Sequence, residues 1–194
     1  MGKLFEMIRK PSYCRKSVIM VLKTYTILAS NCKKISALGG VTMKVYLVQH
    51  GQSVSEDVDP ARPLSEKGRK DMEKVAQFLK GVNLKISVIL QSGKTRAIQT
   101  AEILNPKVTS LRGIMRKEGL APNDLADPWV EELNESPDDI MIVGHLPFLS
   151  KLASRLLGTE AELISFQQGG VVCLEKMEHL QWRIRWVVVP ELLS

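Results

Sequence analysis

The run Lys44-Val45-Tyr46-Leu47-Val48-Gln49-His50-Gly51 constrains this chain more than any other stretch. A short apolar run with β-branched members, closed by a polar residue, a histidine and a glycine, describes a buried strand. Such a strand delivers His50 to its C-terminal end, the edge at which parallel α/β sheets hold their ligands. Taken alone, the stretch reads more readily as a strand that ends in an ordinary hydrogen-bonded histidine. The rest of the chain has to decide.

The same pattern recurs twice. Ile86-Ser87-Val88-Ile89-Leu90-Gln91 is a second apolar strand; Ser92-Gly93 turns the chain into a helix from about Thr95 to Leu104. Asp139 to Gly144 is another such strand, ending on His145, after which Leu146-Pro147 opens a helix to about Leu157. Between these units, Leu64-Ser65-Glu66-Lys67-Gly68 starts a helix with Ser65 as N-cap. Met72, Val75, Ala76 and Leu79 form its apolar stripe, and Gly81 is placed to end it. A short strand falls within Lys107 to Met115, Glu118 to Asp124 is a loop, and a modest helix surrounds Trp129 and Leu133. Gln52 to Pro63, polar and twice broken by proline, reads as a surface loop beside the first strand end. The tail, Gly169 to Glu175 and Trp182 to Val189, reads as a hairpin of two edge strands around the polar turn Met177-Glu178-His179, with His179 solvated. Strands alternating with helices predict a single three-layer α/β/α domain around a mostly parallel central sheet.

Composition narrows the function classes once the charge is located. The formal charge of +6 comes from residues 1 to 42, where eight Lys/Arg stand against Glu6 alone. From Met43 onward 19 basic residues meet 20 acidic ones, so residues 43 to 194 offer no general basic field for nucleic acid. The basic leader 1–42 is expected to be disordered or not physiological, with Met43 as an alternative start directly before the first strand. Its apolar run from Ser17 to Leu28 is too short to span a bilayer, so no membrane is expected. Cys14, Cys32 and Cys173 are far apart and show no metal-ligand spacing to His50, His145 or His179. No metal, no cofactor and a reducing, cytoplasmic setting are therefore expected. Gly93-Lys94-Thr95 is not a phosphate-binding P-loop, because the earlier glycine of that motif falls at Val88.

Three strand-to-helix junctions place His50, Arg96 and His145 at one edge of one sheet, with Gln49 beside the first. A guanidinium and two imidazoles suit a phosphoryl group: Arg96 can grip two oxygens, His145 can donate to a third, and His50 can attack phosphorus. These segments carry a resemblance. Val48-Gln49-His50-Gly51, the run from Ser92 to Glu102 and Val143-Gly144-His145 resemble the signature segments of the histidine phosphatase (phosphoglycerate mutase-like) superfamily. Pro63-Leu64-Ser65 and His145-Leu146-Pro147 resemble its small SixA-type phosphohistidine phosphatases in particular.

The resemblance implies a phosphoglycerate mutase-like fold and metal-independent phosphoryl transfer through a phosphohistidine. It implies catalytic roles for His50, the nucleophile, and His145, and phosphate-binding roles for Gln49, Gly51 and Arg96. Glu118 and Asp124 are candidate general acids. The implied partner is a phosphorylated protein bearing phosphohistidine, or a small phosphorylated substrate. The departure is Gln49, where the family usually has arginine; the exchange removes one positive charge from a site for a dianion. A small-molecule phosphomonoesterase and a catalytically weakened phosphate-binding protein are the alternatives.

Overall fold

The computed structural model describes residues 43–193. The expected leader, residues 1–42, lies outside the described residues.

Eight strands are described: β1 Lys44–Gln49, β2 Lys85–Ile86, β3 Val88–Gln91, β4 Thr109–Ser110, β5 Ile114–Arg116, β6 Ile140–Gly144, β7 Val171–Lys176 and β8 Trp182–Val188. Four α-helices accompany them: α1 Glu66–Val82, α2 Thr95–Leu104, α3 Asp127–Glu135 and α4 Phe148–Leu156. Six strands form the central sheet in the order β5-β3-β6-β1-β7-β8. The pairs β5/β3, β3/β6 and β6/β1 are parallel, whereas β1/β7 and β7/β8 are antiparallel. The fold is the mixed α/β domain with a mostly parallel sheet that the strand–helix alternation predicts.

Alternation along the strands separates two cores. Val45, Leu47, Leu90 and Ile142 face Trp129 and Leu133 of α3 and Phe148, Leu149 and Leu152 of α4. Tyr46, Val48, Ile89, Met141 and Val143 face the other way, onto Met72, Val75 and Leu79 of α1 and Ala97, Ala101 and Leu104 of α2. Burying each such aliphatic side chain contributes roughly 1.5–3 kcal/mol, so a one-residue slip of β1 would reverse both cores at once. That cost fixes the height at which His50 leaves the sheet.

Local details refine the sequence reading. The expected strand from Ile86 to Gln91 is broken at Ser87, so that β2 pairs with β4 in a separate two-stranded sheet while β3 enters the main one. The Lys107–Met115 segment correspondingly holds two strands, β4 and β5. In the tail, β7 is not an edge strand: it lies between β1 and β8, and β8 alone is the edge. Val171, Val172, Cys173 and Leu174 are all buried, the signature of a strand covered on both faces. The register shifts between Cys173 and Leu174, and the exposed Arg183 and Arg185 of β8 both meet the buried carboxylate of Glu175. His179 is exposed, in a turn with φ of 60°.

Helix α1 starts where Ser65 accepts from the Gly68 N–H at 3.0 Å. It ends at Asn83, in the left-handed conformation at φ 54°, and not at Gly81. Its first turn is pressed against the chain leaving the site: a Cβ on Gly68 would stand 2.1 Å from the Gln52 carbonyl oxygen. Gly81, in the last turn of the same helix, has nothing within 4 Å of that position. Gly68→Ala is expected to destabilise the fold by about 1–3 kcal/mol in urea unfolding, through overpacking against backbone. Gly81→Ala should be neutral or stabilising by up to ~1 kcal/mol through helix propensity. Equal effects of the two would show that the Gly68 contact does not limit packing.

Candidate active site

The site is assembled by register. Gln49 lies opposite Gly144 in the parallel β1/β6 ladder, so the next residue of each strand, His50 and His145, leaves the sheet side by side. The His50 N–H donates to the Gly144 carbonyl at 3.2 Å, and the two imidazole rings stand 4.8 Å apart at 53°. Gln91 of β3 lies opposite Val143 on the other side of β6, which brings Ser92 to the same edge.

The polar members of the Ser92-x-x-x-Arg96-Ala97-x-Gln99-Thr100 run each hold one part of this edge. Ser92 Oγ is 2.6 Å from His145 Nε2, and Arg96 Nε donates to His50 Nε2 at 3.1 Å. Gln99 Oε1 accepts from the Leu64 N–H at 2.7 Å. Thr100 Oγ1 donates to the Arg96 carbonyl at 2.7 Å and accepts from the Gly51 N–H at 3.1 Å. Ala97 is fully buried, where α2 packs on the sheet. The helical spacing of Arg96, Gln99 and Thr100 puts these contacts on one face of α2. That spacing was the available signal for Gln99 and Thr100, and the position directly after the strand end was the signal for Ser92; sequence reasoning assigned none of them a role.

His50 Nδ1 lies 2.7 Å from the Gly51 carbonyl oxygen. A carbonyl only accepts, so Nδ1 carries the proton and Nε2 presents its lone pair, on which the Arg96 Nε–H rests. Both histidines are buried, with 7% and 2% of their surface exposed. Burial lowers the His50 pKa to about 4, helped by the charges of Arg96 and Arg62 and opposed by the Gly51 hydrogen bond. Burial lowers His145 to about 3, followed by repulsion from His50, Arg96, Lys94 and Arg62. Arg96 is itself lowered, by burial first and by Arg62 next.

Arg62 is the residue that the reading of Gln52–Pro63 as a plain surface loop missed. Its backbone is left-handed at φ 48°, its Nε is buried, and its charge acts on His50, Arg96 and His145. The sequence signal was an arginine between two prolines, two residues before Leu64, whose N–H is held by α2.

Three buried side-chain polar atoms lack a partner among the described residues: Gln49 Oε1, Arg62 Nε and His145 Nδ1. All three belong to this group of residues. Buried polar atoms without partners cost free energy, and their convergence marks a place where a polar ligand would satisfy them.

The remaining expected residues are placed as follows. Gly51 is required by packing, since a Cβ there would lie 2.9 Å from Met72 Cγ and 3.1 Å from the Gly68 oxygen. Its N–H is already engaged by Thr100. Glu118 is exposed and ion-paired with Arg116 at 2.9 Å. Asp124 Oδ2 accepts from the Ala121 N–H at 2.6 Å. Asp124 also lines a groove of about 410 Å³ with Lys151 and Arg155, which includes neither histidine nor Arg96. Among the described residues no cluster of three His, Cys, Asp or Glu could hold a metal ion, and no helix is long and apolar enough to cross a membrane.

Residues 45–121 match the family model of the histidine phosphatase superfamily (branch 1). An uncharacterized protein of Picosynechococcus is 32% identical over 149 residues, covering 68% of this chain and 84% of that one. The phosphohistidine phosphatase SixA of Escherichia coli is 27% identical over 119 residues, covering 59% and 74%. Among solved structures, the protein histidine phosphatase SixA complexed with tungstate superposes with a TM-score of 0.70 at 23% identity, over 78% of this chain and all of that one. A SixA homologue from Agrobacterium tumefaciens gives 0.62 at 20%, over 76% and 98%.

The depressed histidines give a signed pH prediction. Free histidine titrates near 6.5, so below that pH the unfolded chain binds protons that the folded chain refuses until pH falls to about 4 and about 3. The stability held in two neutral imidazoles is full above pH 6.5 and is lost progressively below it. Urea unfolding midpoints are expected to fall between pH 7 and pH 5, and to fall less in His145→Gln. Equal slopes in the two proteins would place His145 in solvent.

Proposed function

This chain is a hydrolase of the histidine phosphatase superfamily, and we propose that it removes phosphoryl groups from phosphohistidine in proteins through a covalent intermediate on His50. The observation that carries the reading is the meeting of a neutral imidazole, whose Nε2 lone pair accepts from Arg96, with three orphaned polar atoms at one strand edge. A tetrahedral oxyanion supplies acceptors for Arg62 and His145, and Arg96 lies within reach of the same centre.

In the first step the His50 Nε2 lone pair attacks phosphorus and the bond from phosphorus to the substrate nitrogen breaks. The substrate imidazole leaves with that electron pair and its proton. Arg96 gives up its contact with Nε2 and turns its guanidinium to the phosphoryl oxygens, which are the stronger acceptors. In the second step water attacks phosphorus, the bond to Nε2 breaks, and His50 returns as neutral imidazole with inorganic phosphate released. Arg62, Arg96 and His145 spread the developing charge. Protonated imidazole is a good leaving group, so this reading rests on neither Glu118 nor Asp124 as acid. The similarity to the SixA of Escherichia coli supports a phosphohistidine substrate over a small phosphomonoester. Cys173, a buried free thiol, suits the reducing cytoplasm that belongs to the same proposal.

Gln49 favours a second reading, a phosphate-binding protein of weakened catalysis, because its amide offers no charge to a dianion. Turnover of a phosphoramidate and of p-nitrophenyl phosphate separates the possibilities. Phosphoramidate hydrolysis that disappears in His50→Ala is expected. Preference for p-nitrophenyl phosphate would point to the small-molecule enzyme, and retained phosphate binding without turnover of either would sink the enzyme reading.

Orthovanadate titration tests the cation count. Gln49→Arg is expected to tighten binding by about tenfold, the worth of one added charge-assisted hydrogen bond, and Arg62→Ala to weaken it by a similar factor. Unchanged affinity in Gln49→Arg would place residue 49 outside the anion site.

A further inference from the structure

The turn between β3 and α2 carries a cation that the chemistry at His50 does not use. Ser92 touches His145 and Arg96 touches His50. Lys94 stands two residues from each, so its backbone lies within roughly 7 Å of both contact residues. Lys94 is exposed, and no ion pair engages it among the described residues.

Arg116 supplies a second cation on the same side. It lies opposite Gln91 in the β3/β5 ladder, and its side chain crosses the turn, with Nε 2.9 Å from where a Cβ on Gly93 would sit. Gly93, at φ 82°, is thus required both by its backbone and by the arginine above it. The Arg116 guanidinium holds the Glu118 carboxylate at 2.9 Å, and the two side chains are 66% and 85% exposed. An exposed pair of this kind is weak, so a competing carboxylate can replace Glu118. The β1–α1 loop presents Glu56 and Asp57 to solvent.

We propose that Lys94 and Arg116 are specificity-determining residues that select phosphorylated protein segments with an acidic side chain one or two residues from the phosphoryl-bearing one. One or two residues of extended chain span roughly the same 7 Å that separates the Lys94 backbone from the residues touching the histidines, and Glu118 already makes on Arg116 the contact that a substrate carboxylate would make. The proposal rests on the phosphatase reading for its substrate, but its test does not need turnover.

Two peptides carrying a non-hydrolysable phosphoryl-triazole analogue of phosphohistidine, identical except for flanking Glu or Gln, are titrated against the wild-type protein at low salt. The acidic peptide is expected to bind about fivefold more tightly, with the ratio shrinking at 0.5 M salt as surface charges are screened. Lys94→Gln with Arg116→Gln should bring the ratio to about one, and Lys94→Glu should invert it, which a merely structural role for Lys94 would not do. Equal binding of the two peptides by the wild type, or a ratio unchanged in the double variant, overturns the proposal. Tighter rim-dependent binding of a small carboxylated phosphomonoester than of the acidic peptide overturns its assignment to protein segments. Phosphoramidate turnover is measured in parallel. Its absence beside a persisting fivefold ratio would leave the rim standing and remove the phosphatase reading.

Discussion

The parallel pairing of β1 with β6 is the constraint from which the site follows. Gln49 opposite Gly144 decides that two imidazoles emerge together, and the apolar alternation on both faces of β1 makes any other register expensive. Helix α2 then acts as a clamp. One end brings Arg96 onto His50, and Thr100, a turn later, ties the same helix back to Gly51. The chemistry is positioned by strands and a helix, while the loops add Arg62 and the turn cations around it.

Burial sets the electrical state of this centre. Two histidines held neutral among arginines form a site whose positive charge comes from guanidinium groups that stay protonated at any physiological pH. In the proposed reaction the histidines would thereby act as nucleophile and hydrogen-bond partner without competing for protons. The cost is a set of buried polar atoms at Gln49, Arg62 and His145 without partners among the described residues. Under the proposed function, stability is given up at the place where the phosphoryl group would bind.

Periodicity made much of this legible in the sequence. Apolar strands ending on His50, Gln91 and His145 announced a common edge, and the stripe Met72, Val75, Ala76, Leu79 announced a packed helix. What escaped depends on contacts across the chain. Arg62 lies in a segment whose polarity and prolines describe any loop, and only the fold shows that its guanidinium turns inward. Gly51 was singled out beside His50, but the packing reason for a glycine there, the space a side chain would need being filled by Met72 and the Gly68 carbonyl, lies in contacts that only the fold supplies. The tail hairpin was recognised as two strands, but a continuous run from Val171 to Leu174 has no polar face to place outward. That is why β7 is interior. Ser87 was invisible as a break because a serine fits a strand as well as a kink.

The edge of the sheet has a consequence for life in a crowded solution. β8 is a seven-residue strand with open backbone groups, the sort of border that invites another chain to add itself. Its pairing with β7 slips at Cys173/Leu174, and Arg183 and Arg185 stand along it, leashed to the buried Glu175. A neighbouring strand would have to accept a shifted ladder and desolvate two guanidinium groups to dock. At the opposite border β5 offers only three residues. The sheet is thus closed to propagation at both ends, and intermolecular β-pairing is discouraged at both of its borders.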